Sequence, residues 1–315
     1  MEPDPQQAPQ LHTEIISWFT NNARDLPWRK AGCSPWGIFV SEIMLQQTPV
    51  VRVLPVWEQW MARWPDPAAL AAEPSGEAVR AWGRLGYPRR ALRLHAAAAA
   101  MAAGFGGRVP ETSAELLTLP GVGTYTAAAV ASFAFGRRET VVDTNIRRVH
   151  ARAVGGKALP APALNAAEMR LAVTLLPDGD AASVAWNASV MELGAVVCTA
   201  RSPKCEVCPV LTKCAWVAAG KPAPDYVPKG QSWAGTDRQV RGAVMAVLRQ
   251  ASGPVLRTLL LGPVDLAARK TDPELAPLAA LHALNAPADQ VERALAGLLS
   301  DRLAEETESG LQLPG

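Results

Sequence analysis

Leu119-Pro120-Gly121-Val122-Gly123, followed by the Ala-rich run from Thr124 to Ala134 and then by Val141-Val142-Asp143-Thr144-Asn145, predicts two helices joined by a tight turn. Two glycines flanking one valine, after a proline and before a helical run, supply φ > 0 and close approach of another backbone. The N–H groups exposed at the start of the following helix favour an anion such as a DNA phosphate. Asp143 then falls in an apolar setting, where a carboxylate is costly unless it has a partner or a task. A phosphate grip placed shortly before a lone acid points to an enzyme acting on nucleic acid.

Composition sets the outer limits. At 315 residues the chain exceeds one average domain, and its 49% apolar content supports a substantial core. No uncharged apolar run is long enough to span a bilayer, and Met1-Glu2-Pro3-Asp4-Pro5 does not read as a signal peptide, so a cytoplasmic location is expected by default. Association with the nucleoid and a monomeric state are separate expectations. The net charge is only +2, so any hold on nucleic acid must come from local charge. Arg80, Arg84, Arg89, Arg90 and Arg93 offer one such region, and Arg137, Arg138, Arg147, Arg148 and Arg152 a second. Either run is equally compatible with a solvated helix face.

The first 220 residues read as mostly helical, broken by prolines such as Pro27, Pro49, Pro88 and Pro120, with no sustained period-2 alternation. Residues 221–237, with Lys221, Pro222, Pro224, Pro228, Gly230 and Gly235, read as a linker. Beyond it, Arg238–Gln250 and Ala288–Ser300 look helical, and residues 304–313 look like a short hairpin. That pattern suggests a small winged-helix-like C-terminal domain over 238–315.

Four of the five cysteines are clustered, as Cys198-x6-Cys205-x2-Cys208-x5-Cys214. In a cytosolic protein this density means metal rather than disulfides. Structural zinc usually takes two close cysteine pairs, and only Cys205/Cys208 is close here, so the spacing fits a [4Fe–4S] cluster better. Cys33 is left as an ordinary small residue.

Ser41-Glu42-Ile43-Met44-Leu45-Gln46-Gln47-Thr48 places a carboxylate inside an apolar helix, with Glu42 on the face shared by Ile38 and Phe39. Desolvation there raises its pKa and keeps a proton available near neutrality. The same window also fits a satisfied buried carboxylate capping a loop. Asp143 supplies the complement, an acid kept ionised by Asn145 or by helix N–H groups. One protonated and one ionised acid form the pair needed to cleave a glycosidic bond through an oxocarbenium-like state.

Leu26-Pro27-Trp28-Arg29, the Glu42 segment, Leu85-Gly86-Tyr87, Leu119 to Ala127 and the four-cysteine pattern together resemble MutY-type adenine DNA glycosylases, of the helix–hairpin–helix superfamily with a [4Fe–4S] loop. The resemblance covers about residues 10–220. It implies a mostly α fold, with a six-helix barrel over 25–135 and a cluster domain built from 10–24 and 136–220. It implies a double-stranded DNA partner carrying A:8-oxoguanine or A:G. Glu42 would protonate adenine at N7, Asp143 would stabilise the sugar cation, Asn145 would hold Asp143 or the water, and Tyr125 would shield the sugar. Gly121, Val122 and Gly123 would grip a phosphate. Arg24, Trp28, Leu45 and Glu192 become candidates for the adenine pocket, although Trp28 equally suits core packing. Gln47 and Tyr87 become candidates for filling the gap and meeting the opposite base, and Cys198, Cys205, Cys208 and Cys214 for holding the cluster.

Two departures matter. Endonuclease III-type relatives carry a lysine two residues after the final hairpin glycine, whose amine forms a Schiff base and cuts the strand. This chain has Tyr125 there, which implies a monofunctional enzyme. Many family members also end in a nucleotide-hydrolase-like domain with a Phe-Ser-His loop reading 8-oxoguanine. That triplet is absent here, and residues 236–315 are too few for the fold. The rivals are an endonuclease III-like glycosylase/lyase on oxidised pyrimidines and a non-enzymatic Fe–S redox sensor that binds DNA.

Overall fold

Helices account for nearly all regular structure in the computed structural model, which describes residues 7–227, 230, 232–262 and 276–315. The acidic start Met1–Pro5, Pro228 of the linker and residues 263–275 of the tail lie outside the described residues. In chain order the helices are α1 Gln7–Asn22, α2 Pro35–Met44, α3 Val50–Arg63, α4 Pro67–Ala71, α5 Ser75–Trp82, α6 Arg89–Gly104, α7 Ser113–Leu116 and α8 Thr124–Phe135. They continue with α9 Thr144–Ala153, α10 Ala166–Leu175, α11 Asp180–Val196, α12 Ala215–Ala218, α13 Asp237–Gln250, α14 Arg257–Leu261, α15 Ala276–His282 and α16 Ala288–Ser300. Among the described residues the only sheet is the hairpin of β1 Glu305–Thr307 and β2 Gly310–Gln312, with Glu306 opposite Leu311. The helical character of the first 220 residues, the two tail helices and the terminal hairpin all agree with the sequence pattern.

Contacts gather the chain into two compact units. The first holds the described residues within Met1–Glu42, Pro110–Thr118 and Val122–Lys229. Its core packs Leu11 and Ile15 of α1 against Ile146 of α9 and against Trp186, Val190 and Leu193 of α11. Gly194 lets α9 and α11 approach closely, since a Cβ there would lie 2.7 Å from the Asn145 Cβ.

The second unit holds the described residues within Ile43–Val109, Leu119–Gly121 and Gly230–Gly315. Trp60 meets Trp64 and Trp82 edge-to-face, at centroid distances of 4.8 and 5.7 Å, a preferred arrangement for aromatic rings. The tail is bonded directly onto α5 and α6. Arg249 Nε donates to the Val79 carbonyl at 3.0 Å, the Gly76 N–H to the Pro314 carbonyl at 2.8 Å, and Arg89 pairs with Asp301 at 3.2 Å.

The hairpin turn sharpens the sequence reading. Gly121 has φ +77, and a Cβ there would lie 2.6 Å from the Arg93 Cβ, so glycine is required. Gly123 does not use its conformational freedom: it caps α8 at φ −101, with open space where a Cβ would stand. The expectation of positive φ at both glycines is therefore corrected to Gly121 alone.

Candidate active site

Glu42 lies in the last turn of α2, one residue beyond the fully buried Ser41, and is itself 7% exposed. The flanking residues Phe39, Val40, Ile43 and Met44 are all buried apolar side chains, so the carboxylate is largely dehydrated. Its contact partner comes from the first turn of α8, where the Tyr125 hydroxyl donates to Glu42 Oε2 at 2.8 Å. Burial pushes the Glu42 pKa up to about 7, against the opposing pull of the Tyr125 hydrogen bond. Nearby Asp143 raises it further, and Arg29 lowers it. A carboxyl group half-protonated at neutral pH suits general acid catalysis.

Asp143 is the N-cap of α9, and its Oδ1 accepts from the Ile146 N–H at 2.6 Å. Asn145 Nδ2 donates to the other oxygen at 2.7 Å. These contacts, together with Arg148, favour the ionised form as expected from the sequence. Burial nevertheless outweighs them and moves the Asp143 pKa upward, which corrects the picture of an acid simply held down by its neighbours. Arg148 in turn fixes Asn145: its Nη2 donates to Asn145 Oδ1 and to the Gly194 carbonyl, both at 2.7 Å.

Glu192 on α11 is wholly buried and receives two guanidinium groups. Arg24 binds it in bidentate fashion, Nε to Oε1 and Nη2 to Oε2, both at 2.7 Å, and Arg29 Nη2 adds a bond at 2.8 Å. Burial works against the charge, but these bonds carry the pKa down to about 2. Arg29 Nη1 remains buried without a hydrogen-bond partner, a donor left open near Glu42. The sequence reading missed both residues as parts of the site; Arg29 stood only in the quoted Leu26–Arg29 motif, and Arg148 only in the second arginine run. Trp28 is buried beside Arg29, while Leu45 is half-buried just past α2. We expect Glu192→Gln to cost about 3 kcal/mol, because two guanidinium groups lose their counter-charge. The folded pKa is depressed, so this contribution is complete above pH 4.5 and disappears as pH falls towards 2. Urea unfolding of both proteins at pH 7 and pH 3 checks it, and equal midpoints at pH 7 would refute it.

Of the second arginine group, Arg137 and Arg138 lie exposed, but the three on α9 offer no surface to DNA. Arg147, Arg148 and Arg152 are buried and spent internally: Arg147 on Glu168 at 2.6 Å, Arg152 on the Thr199 carbonyl at 2.7 Å. Helix α9 is packed inside the first unit, so charge in its sequence does not become charge at its surface.

Cys198, Cys205, Cys208 and Cys214 all line one small cavity, with Arg152, Leu211 and Trp216. Among the described residues no three metal-binding side chains converge closely enough to hold a single ion. Four sulfurs spaced around a cavity, rather than drawn to one point about 2.3 Å from each, fit a polynuclear cluster better than zinc. Arg152 Nη1 also points at Cys198 Sγ from 3.4 Å, a charge suited to thiolate.

A helix–hairpin–helix with a buried and a half-buried acid and a four-thiol loop defines a class, the base-excision DNA glycosylases. Residues 40–171 accordingly match the HhH-GPD superfamily of base excision DNA repair proteins, and residues 198–214 match the iron–sulfur binding domain of endonuclease III. The chain belongs to the adenine DNA glycosylases. It is 48% identical to the adenine DNA glycosylase of Mycolicibacterium smegmatis, across 94% of this chain and 93% of that one. The Mycobacterium tuberculosis enzyme is 46% identical across 99% and 97%. The human enzyme is 37% identical across 67% of this chain and 40% of its own length. Among solved structures, a thermostable thymine-DNA glycosylase matches with TM-score 0.60 and 30% identity, over 68% of this chain and 98% of its own. A trapped endonuclease III–DNA covalent intermediate shares the fold at TM-score 0.60 and 24% identity, over 70% and 100%. The segment from Cys198 to Cys214 is thus an iron–sulfur segment, and the cofactor is a [4Fe–4S] cluster.

Proposed function

We propose that this chain excises adenine mispaired with 8-oxoguanine or guanine in duplex DNA and leaves the strand intact. The observation that carries the chemistry is the buried Glu42, with a pKa of about 7, placed beside Asp143. The adenosine is flipped out of the helix. Glu42 gives its proton to N7, and the C1′–N9 bond breaks with its electron pair passing to adenine. Asp143 stabilises the positive sugar or binds it transiently, and water then adds at C1′ and loses a proton. Asn145 orients Asp143, Tyr125 shields the sugar, and Arg29 Nη1 offers a donor to the base. Arg24, Trp28, Leu45 and Glu192 shape the adenine pocket, and Gln47 and Tyr87 face the gap and the opposite base.

Gly121, Val122 and Gly123 hold a backbone phosphate. Cys198, Cys205, Cys208 and Cys214 would hold the [4Fe–4S] cluster, which when bound would cross-link their loop. A monofunctional reaction follows from Tyr125, whose phenol cannot form an imine.

End-labelled duplexes containing A:8-oxoguanine, A:G, A:T or thymine glycol test the proposal. Strand breaks should arise only from the two mispairs, only after alkali, and with no borohydride-trapped adduct. Cleavage at thymine glycol, or a trapped adduct, would overturn it.

A further inference from the structure

We propose that Trp233 and Arg238 of the tail join Tyr87 in one surface that grips the DNA strand facing the excised base, an inference resting on the base-excision reading above. All of these residues belong to the second unit. Two exposed side-chain tips begin the argument. Gln47 and Tyr87 have φ +53 and +48, a conformation that costs energy for residues other than glycine and that concentrates at functional sites. Arg90 ties them together, donating to the Gln46 carbonyl while its guanidinium lies 4.6 Å from the Tyr87 ring centroid. Tyr87 remains 46% exposed.

The tail extends this platform. Arg238, in the first turn of α13, lies 5.6 Å from the Tyr87 centroid and 5.9 Å from that of Trp233, so one guanidinium stands between two aromatic rings. Trp233 is 54% exposed yet held in place. Its carbonyl accepts from the Thr236 hydroxyl at 2.7 Å, and its indole packs against α13 at Gly242, within ordinary contact of where a Cβ would stand. Asp237 is engaged by Gln290 at 3.0 Å and by Arg293 at 3.6 Å. The cluster is not required to fasten the tail, because the bonds from Arg249, Gly76 and Arg89 already do so. Two exposed rings with a guanidinium between them offer what a nucleotide strand binds: stacking faces for bases and a planar cation for the phosphate. The occupant is therefore DNA.

The test uses the full chain and a duplex carrying a tetrahydrofuran abasic analogue opposite guanine. Trp233→Ala and Arg238→Ala should each weaken its Kd about tenfold, and Arg238→Ala should lower the salt dependence by about one phosphate contact. Tm should move by less than about 2 °C, and the single-turnover rate at saturating enzyme should stay within about twofold of wild type. Arg238→Lys, which keeps the charge but loses the plane, should fall between. Unchanged affinity in both alanine variants would overturn the proposal, as would affinity lost only in step with Tm. If wild type binds this duplex but releases no adenine from either mispair, base excision fails while the surface stands. If wild type releases adenine and the alanine variants bind as tightly as it does, the surface fails alone.

Discussion

Glu42→Gln should lower the single-turnover rate of adenine release by about 10²–10⁴-fold, the range spanned by a positioned general acid. Glutamine keeps the shape and still accepts the Tyr125 hydrogen bond, so the loss isolates the proton. The wild-type rate should fall as pH rises through about 7, because the protonated form is the one that works. Tyr125→Phe sharpens the assignment. The phenol hydrogen bond favours ionised Glu42, so its removal raises the pKa further and moves the descending limb to higher pH. A stability measurement gives an opposite and independent signal. With a folded pKa of about 7 against 4.5 unfolded, Glu42 costs the native state stability progressively as pH rises from 4.5 through 7. At pH 8 Glu42→Gln should therefore be the more stable protein, by up to roughly 3 kcal/mol. A Gln variant that keeps a tenth of the rate, or a limb unmoved in Tyr125→Phe, refutes the assignment.

How much of this was legible in the sequence depends on the range of the interaction. Glu42 announced itself because a carboxylate among Phe39, Val40, Ile43 and Met44 is a local anomaly, visible in one turn of helix. The four cysteines did so by spacing, and the helix–hairpin–helix by Pro120 and Gly121. Arg147, Arg148 and Arg152 misled, because a run of charge does not say whether its helix lies at the surface or inside. Which side of α9 faces solvent is set by α11, which lies beyond α10 in the chain, and by Gly194, whose missing Cβ admits Asn145. The docking of the tail was equally hidden. Arg249 meets Val79 across 170 positions, and Arg238 meets Tyr87 across the linker, through contacts that no local pattern records. The balance at Asp143 was hidden for a different reason: its hydrogen bonds were foreseeable from the N-cap pattern, but the degree of desolvation opposing them depends on packing.

Asp143→Asn should reduce adenine release by at least about 10³-fold, while changing stability by less than about 1 kcal/mol. The two halves follow from two jobs held by one side chain. As the N-cap of α9, Asp143 accepts from the Ile146 N–H, and asparagine caps helices about as well. The fold therefore survives. As the anion beside the forming sugar cation, it contributes charge in a site with little water, where fixed electrostatic stabilisation is large and an amide cannot replace it. Asn145→Ala separates orientation from charge: it removes the 2.7 Å bond to Asp143 Oδ2 but leaves the carboxylate, so a smaller loss is expected. Because Glu42 and Asp143 act on the same bond, the double variant Glu42→Gln with Asp143→Asn should be little worse than the poorer single variant, as for residues that work as a unit. Single-turnover assays with urea unfolding of the same preparations decide the matter. Full additivity of the two losses would mean that the acids act in separate steps, and a loss of activity matched by a loss of stability would reduce Asp143 to a helix cap.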